Sequence, residues 1–336
     1  MSNSVKERNY CLDFVKLIAC IFIILRHIQP LGDGWTAVAT LTRCFVPFFF
    51  MVSGYYCFRK DGLDKKSMKP KIFYILKLTV ITYALYVAIT FFAIYKFGEP
   101  SILSVGDIPG AFVKLLVFNQ PMFIPEFIWF LFALLYVYII YVIIQRFNLY
   151  RLAYWLIPVL IFASLFMTYG GLIFDFEIPN YYYRNFLFEG LPFFMLGHLI
   201  HKKQSKINIP NLWLWIILIA STAFVLVETH FTGMNFDLNI TNYIQVGAIF
   251  LLAVKNPNFG KGVFANLGRD LSMYVYVIHI AIRRVALAAY SILGFEGQLY
   301  KDIFPVVVMV GSLVASFVLF HIIKFIGSKR RKIEEK

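Results

Sequence analysis

The chain has 336 residues, of which 60% are hydrophobic and only 15% charged. A soluble domain is about half apolar and about a quarter charged, so this composition excludes a soluble globular protein, a disordered chain and a disulfide scaffold. The formal net charge is +14. The basic residues lie in short segments between apolar runs, which is typical of membrane topology signals rather than of nucleic-acid binding.

The four cysteines lie in or beside apolar runs, and their spacing does not suit a metal site. They are Cys11, Cys20, Cys44 and Cys57. We interpret them as small apolar packing residues.

The apolar runs predict an all-α, polytopic integral membrane protein with about ten spans, at about 20 residues per span. The predicted spans are 12–30, 39–58, 72–95, 127–145, 152–169, 184–201, 211–229, 239–254, 270–287 and 303–326. The less apolar segment 101–125 carries three prolines and is predicted to be an outer loop with a possible re-entrant piece. We expect one transmembrane domain over residues 1–336, with a basic cytoplasmic tail at 327–336.

The distribution of basic residues predicts the orientation of the chain. With the N-terminus inside, 22 of the 32 Lys and Arg residues fall in inner segments, seven in outer segments or span mouths, and three within spans. Positive charge collects on the cytoplasmic side of membrane proteins. The count therefore predicts ten spans with both termini in the cytoplasm.

The first span carries charged residues, which are costly in lipid and therefore point to function. Lys16 and His27 are 11 residues apart, so at 100° per residue they share one helix face and lie about 16 Å apart along the axis. Asp13, one turn before Lys16, is placed to pair with it. Two other interpretations stay open: Lys16 can extend to the inner interface, and His27 can serve a packed polar contact between helices.

At this point the chain resembles the acyltransferase-3 family of integral membrane enzymes. Lys16, ten residues and then His27, after Leu12-Asp13, are similar to the family's first-helix signature, which usually has Arg in place of the Lys. Further similar segments follow in family order. They are 46–55, ending in Ser53-Gly54; 129–135, beginning at Trp129; Arg184 with 190–197; and 271–279, ending at His279.

The resemblance implies transfer of an acyl group from a cytoplasmic acyl-CoA to a hydroxyl at the outer side of a bacterial cytoplasmic membrane. We expect acetyl as the acyl group, with succinyl next. The implied catalytic residues are His27 as general base, His279 as its partner, Arg184 as oxyanion or acceptor ligand, and Lys16 in place of the family's Arg. Arg184 as an interfacial anchor and His279 as an interhelical hydrogen-bonding group stay open.

The remaining site predictions concern donor and acceptor. The basic inner loop and the second helix predict acyl-CoA contacts at Ser53, Lys65, Lys66, Lys69 and Lys71. The acceptor contacts are predicted at Asp13, Arg43, Glu126, Trp129 and Arg283. Two other roles stay open: topology determination for the lysines, and close helix packing for Ser53-Gly54 and Gly197. We expect membrane lipid, acyl-CoA and a surface glycan or glycolipid as partners, with no metal and no nucleic acid; a homodimer stays open.

Two further classes of function remain. A transporter of a small polar molecule, such as serine for cell-wall precursors, would use Asp13 and Lys16 as part of a polar path. Such a protein is expected to show an inverted repeat and interrupted helices, and the sequence shows neither clearly. A structural membrane scaffold would leave the charged face of the first span unexplained.

Overall fold

The computed structural model describes residues 8–28, 35–59, 65–97, 108–122, 126–174, 178–232, 236–294 and 297–334. Within these ranges all regular secondary structure is helical. The α-helices are α1 (Tyr10–Arg26), α2 (Trp35–Thr42), α3 (Phe45–Tyr55), α4 (Lys65–Phe97), α5 (Ile108–Phe118), α6 (Trp129–Arg146), α7 (Tyr150–Phe174), α8 (Leu191–Lys203), α9 (Asn211–Thr232), α10 (Ile240–Lys255), α11 (Val263–Leu293) and α12 (Gln298–Glu334).

Among the described residues, seven stretches are long and apolar enough to cross a membrane. They correspond to the second, third, fourth, fifth, seventh, ninth and tenth predicted spans, so a multi-pass helical membrane protein is confirmed. The remaining three predicted spans coincide with α1, α8 and α10, which have 17, 13 and 16 residues. The count of ten spans and the cytoplasmic placement of both ends stay predictions.

Three predicted boundaries differ from the structure. The second predicted span is divided into α2 and α3 by a turn at Arg43 and Cys44. Pro47 explains the division, because it lacks the N–H that would bond the carbonyl of Arg43 in a continuous helix. The predicted loop 101–125 contains the apolar helix α5, and α12 continues through the predicted tail as far as Glu334.

The described chain forms two compact units. Residues 1–45 and 209–336 form the first unit, and residues 46–208 form the second. The single domain expected over 1–336 stays a prediction. The expectation that the cysteines are packing residues is confirmed, since all four are buried.

In the first unit, α1 packs along α11, α11 packs on α12, and α10 packs on α9. The Asn9 side chain caps α1 by accepting from the backbone N–H of Leu12 at 2.9 Å, and it donates to the carbonyl of Ala253 on α10. Such a cap satisfies a donor that the first turn leaves open. Helix α1 lies very close to α11 at Gly268, where an added Cβ would stand less than 3.0 Å from the carbonyl oxygen of Asp13.

In the second unit, α3 and α8 pack through a reciprocal pair of glycines. An added Cβ on Gly54 would meet the backbone of Phe194, and one on Gly197 would meet the backbone of Met51, both at less than 3.0 Å. Small residues allow this close approach of helices in lipid. Helix packing therefore accounts for both glycines.

Candidate active site

The N-terminal end of the charged face of α1 carries an ion-pair cluster. The Lys16 ammonium lies 2.6 Å from Asp13 Oδ1, and Arg8 Nε lies 2.8 Å from Asp13 Oδ2. The predicted pairing of Asp13 with Lys16 is therefore confirmed. Asp13 is buried, and each of its carboxylate oxygens faces a cation. Two cations on one carboxylate leave this end of the helix with a positive charge.

Arg8 also connects this cluster to the start of α11. Its guanidinium donates to the side-chain oxygen of Asn266 at 2.8 Å and to the carbonyl of Ala265 at 3.2 Å. A planar guanidinium with several donors can hold a carboxylate and a neighbouring helix at the same time. The ion pair with Asp13 thus fixes the position of Lys16. Arg8 and the close contact at Gly268 in turn hold Asp13 against α11.

At the other end of α1, two histidines predicted to act together lie side by side. His27 is the C-cap residue of α1 and is partly exposed, whereas His279 on α11 is buried. Their ring centroids are 5.2 Å apart, with 45° between the ring planes. The structure therefore brings together the two residues for which a role in proton transfer is predicted.

The orientation of His279 is set by its own helix. Its Nδ1 lies 3.0 Å from the carbonyl oxygen of Val275 and 2.8 Å from that of Tyr276. Carbonyl oxygens only accept hydrogen bonds, so Nδ1 carries a proton, and in the neutral ring Nε2 is the acceptor. The ring is therefore held in one tautomer beside His27.

Two arginines, one of which directly precedes His27, converge on one acid. Arg26 Nη2 and Arg43 Nη1 lie 3.4 Å and 3.3 Å from the same oxygen of Asp237, Oδ1. The side chain of Arg43 is 5% exposed and that of Asp237 is 14% exposed, so this charge cluster is largely withdrawn from water. Arg26 directly precedes His27, and its ion pair thereby fixes the end of the helix that carries the histidine.

Sequence reasoning predicted a site role for Arg43 but not for Arg26 or Asp237. Asp237 lies in the non-helical segment between α9 and α10, where periodicity gives no signal. One sequence signal could have pointed to Asp237: it is an acid on the predicted outer side. It also lies two residues before Asn239, which is the N-cap of α10. Arg283, also predicted, lies four residues after His279 on α11 and therefore on the same helix face.

The other predicted residues belong to the second unit. The guanidinium of Arg184 lies 5.8 Å from the ring centroid of Trp129, a cation–π distance. Arg184, which is predicted for catalysis, and Trp129, which is predicted for acceptor binding, are therefore adjacent. The side chain of Glu126, also predicted for the acceptor, lies outside the described residues.

The predicted acyl-CoA residues make local contacts. Ser53 donates to the carbonyl of Phe49, one turn earlier in α3, at 2.9 Å. The Lys71 ammonium donates to the carbonyl of Tyr56 at 3.3 Å and lies 3.2 Å from the sulfur of Cys57, so it stabilises the C-terminal end of α3. Lys69 is exposed, and the side chains of Lys65 and Lys66 lie outside the described residues.

A buried histidine in the second unit, His198, was not singled out from the sequence. Its Nε2 lies 3.0 Å from the hydroxyl of Tyr141, and its Nδ1 lies 2.9 Å from that of Tyr154. Tyr141 donates its own proton to the carbonyl of Cys57. Nε2 therefore donates to Tyr141 and Nδ1 accepts from Tyr154, so this histidine serves as a satisfied link between α6, α7 and α8.

The fold and the site define a class of protein: a helical, multi-pass membrane protein whose first helix carries a cation near one end and, at the other, a histidine that pairs with a histidine of α11. A family model of the acyltransferase domain, the acyltransferase-3 type, matches residues 9–324. The chain belongs to the acyltransferase-3 family, which supports its assignment as a membrane acyltransferase.

A comparison with curated proteins also finds a relative. A serine/alanine racemase from Enterococcus gallinarum is 23% identical to this chain over 292 residues. The match covers 81% of this chain and 40% of the racemase, so the chain spans less than half the length of that relative. No solved structure matches the chain.

Proposed function

We propose that the protein is a membrane O-acyltransferase that moves an acyl group, with acetyl as the expected one, from a cytoplasmic acyl-CoA to a hydroxyl of a cell-surface glycan or glycolipid. Membership of the acyltransferase-3 family supports the reaction class. The observation that carries the proposal within the molecule is the adjacency of His27 and His279, 5.2 Å apart between ring centroids.

The proposed chemistry is direct transfer with His27 as general base. An imidazole titrates near neutral pH and can take the proton of an attacking hydroxyl. The hydroxyl oxygen then forms a bond to the thioester carbonyl carbon, and the carbonyl electrons become an oxyanion. When this intermediate collapses, the carbon–sulfur bond breaks and the departing CoA thiolate takes the proton from His27. A covalent acyl-histidine intermediate stays open.

The buried histidine has a different part in this scheme. His279 is held in the tautomer that presents Nε2 as an acceptor, because its Nδ1 proton is engaged by the carbonyls of Val275 and Tyr276. A neutral imidazole beside His27 can stabilise the positive charge that His27 gains during proton transfer. This supports His279 as the partner of the base rather than as a second base.

Arg26, which directly precedes His27, and Arg43 are the groups that we propose for stabilisation of the oxyanion. Both guanidinium groups face the Asp237 carboxylate. A preorganised positive site in a largely dry environment stabilises developing negative charge much more than water does. In this scheme Asp237 is a positioning residue, because it acts through the two guanidinium groups.

The two ends of α1 suit a donor and an acceptor that come from opposite sides. Lys16 and His27 lie on one continuous helix face, about 16 Å apart along the axis. The positive cluster at Lys16 and Arg8 suits the phosphates of a CoA, and the histidine pair suits the acyl carbon. This arrangement depends on the predicted orientation, with the N-terminus in the cytoplasm.

The proposal can be tested with purified protein in detergent or nanodiscs. We expect saturable binding of acetyl-CoA, and acetyl transfer from labelled acetyl-CoA to membrane glycan extracts. His27→Ala should retain binding and lose transfer, whereas His230→Ala, at an exposed histidine on α9, should retain both. Absence of acetyl-CoA binding by folded wild-type protein would contradict the proposal, and so would full transfer by His27→Ala.

The transporter alternative stays a prediction without added support. The racemase relative is 23% identical and is itself named for racemisation. In addition, the Asp13 carboxylate is engaged by Arg8 and Lys16, as expected of a fixed structural charge. Serine uptake by vesicles that contain the protein would be the observation that favours transport.

A further inference from the structure

A cleft between α11 and α12 lies apart from the histidine site, within the same unit. Its volume is about 270 Å³, and it is formed by the first turns of α11 and the C-terminal half of α12. The lining residues recur at helical spacing, for example Phe317, Phe320, His321 and Lys324 on α12. The two helices therefore present one continuous face each to this cleft.

The lining divides into an apolar part and a polar part. Leu271 and Phe317 lie nearer the middle of the two candidate spans, whereas Asn266 and Lys324 lie nearer the helix ends. The order of polarity thus follows that of a lipid leaflet, with headgroups at the helix ends and hydrocarbon further in.

The charges of the polar part favour an anionic occupant. Both oxygens of Asp270 are engaged by the neighbouring Arg269, at 2.6 Å and 2.8 Å. Lys324 lies 5.8 Å from the ring centroid of Phe320 and lines the cleft together with Asp270. Counted together with Arg269, which pairs with Asp270, the cations Arg269 and Lys324 exceed the one carboxylate by a single positive charge. Helix α12 also continues into the basic run 329–332.

The surroundings of the cleft indicate an occupant with apolar chains. Val263, on the rim, is 70% exposed and Phe325, next to Lys324, is 59% exposed. On membrane-spanning helices such surfaces face hydrocarbon. A volume of about 270 Å³ is near the lower limit of small-molecule sites, so it can hold a headgroup while the acyl chains lie along the exposed flank.

We propose that this cleft binds the phosphate headgroup of an anionic phospholipid in the leaflet that contains the C-terminal end of α12. Lys324 would contact the phosphate, and Asn266 would serve as a neutral hydrogen-bonding group. Basic pockets between transmembrane helices bind anionic lipid headgroups in this manner. The cleft borders the cluster of Arg8, Asp13 and Lys16, since Asn266 accepts a hydrogen bond from Arg8, but the proposed lipid binding does not rest on the proposed acyl transfer.

The test compares lipid binding by native mass spectrometry of delipidated protein in detergent, using phosphatidylglycerol and the zwitterionic phosphatidylcholine. We expect wild-type protein to bind phosphatidylglycerol more tightly. Lys324→Gln should weaken that binding about fivefold, the effect of one cation near a charged lipid surface, and should leave phosphatidylcholine binding unchanged. Lys324→Arg should restore it, and Lys203→Gln, at an exposed lysine of α8, should match wild type.

Other outcomes would overturn the proposal. Equal binding of both lipids by wild-type protein would show that the headgroup is not recognised. Unchanged phosphatidylglycerol binding in Lys324→Gln would show that this cleft is not the binding site. A competition arm with soluble CoA separates the two sources of phosphate. If CoA displaces phosphatidylglycerol and its own affinity falls in Lys324→Gln, the cleft binds a soluble phosphate ligand rather than lipid.

Discussion

The imidazole of His27 lies beside that of His279, with 5.2 Å between ring centroids, although the two residues are at opposite ends of the chain. Helix α1 packs along α11, and this packing brings the C-cap of one helix to the middle of the other. One ring is partly exposed and the other is buried. The pair therefore combines an accessible base with a fixed neighbour.

Replacing His279 by asparagine separates its structural role from its chemical role. The asparagine amide can still donate to the carbonyls of Val275 and Tyr276, but it lacks the Nε2 acceptor. We expect His279→Asn to fold and to lose activity by about 10²-fold or more, the usual contribution of proton-transfer groups. Steady-state acetyl transfer and thermal unfolding measure the two effects. Full activity in His279→Asn would show that only the backbone hydrogen bonds matter.

Substitutions of Lys16 test the cation that replaces the family's usual arginine. Lys16→Arg keeps the charge and the ion pair with Asp13, so we expect it to retain activity. Lys16→Met removes the charge and leaves Asp13 with Arg8 alone, at a cost of roughly 1–3 kcal/mol in the free energy of unfolding. We also expect a raised KM for acyl-CoA in Lys16→Met. An unchanged KM for acyl-CoA in a folded Lys16→Met protein would show that Lys16 does not contribute to donor binding.

The sequence was sufficient for the parts of this site that follow helical periodicity. Lys16 and His27 were placed on one face because 11 residues make nearly three whole turns. The Asp13–Lys16 pair follows from its spacing of three residues. These relationships lie within one helix, so no tertiary information is needed for them.

Contacts that depend on long-range packing leave no local pattern: the pairing of His27 with His279 was predicted only through the family resemblance, and the Asp237 cluster was not predicted. Asp237 meets Arg26 and Arg43 only because the segment before α10 folds back against α1, and no local pattern encodes this contact. The division between α2 and α3 was a missed local signal, since Pro47 has no N–H to bond the carbonyl of Arg43. Gly268 carries no sequence signal beyond its small size, yet it lies at a close contact between α1 and α11.

The Asp237 cluster gives a prediction about positioning. Asp237→Asn leaves two largely buried guanidinium groups without their carboxylate, so we expect a lower kcat with little change in KM for acyl-CoA. Asp237→Glu should recover part of the activity, which loss of stability alone would not explain. In a double-mutant cycle, Arg43→Gln should lessen the effect of Asp237→Asn, because removal of both charges avoids an uncompensated cation. Strict additivity would contradict coupling between Arg43 and Asp237.

A pair of glycine substitutions tests the packing that holds the site together. A Cβ at Gly268 would stand less than 3.0 Å from the Asp13 carbonyl, so Gly268→Ala must push α1 away from α11. We expect a loss of roughly 1–3 kcal/mol in stability, as for other overpacked contacts, and a loss of acyl transfer.

Gly247 on α10 has no atom within 4 Å of an added Cβ. Gly247→Ala should therefore be neutral or stabilising by about 0.5–1 kcal/mol. Thermal unfolding in detergent, measured beside acyl transfer, compares the two variants. Equal stability of both would show that the α1–α11 contact adapts without cost.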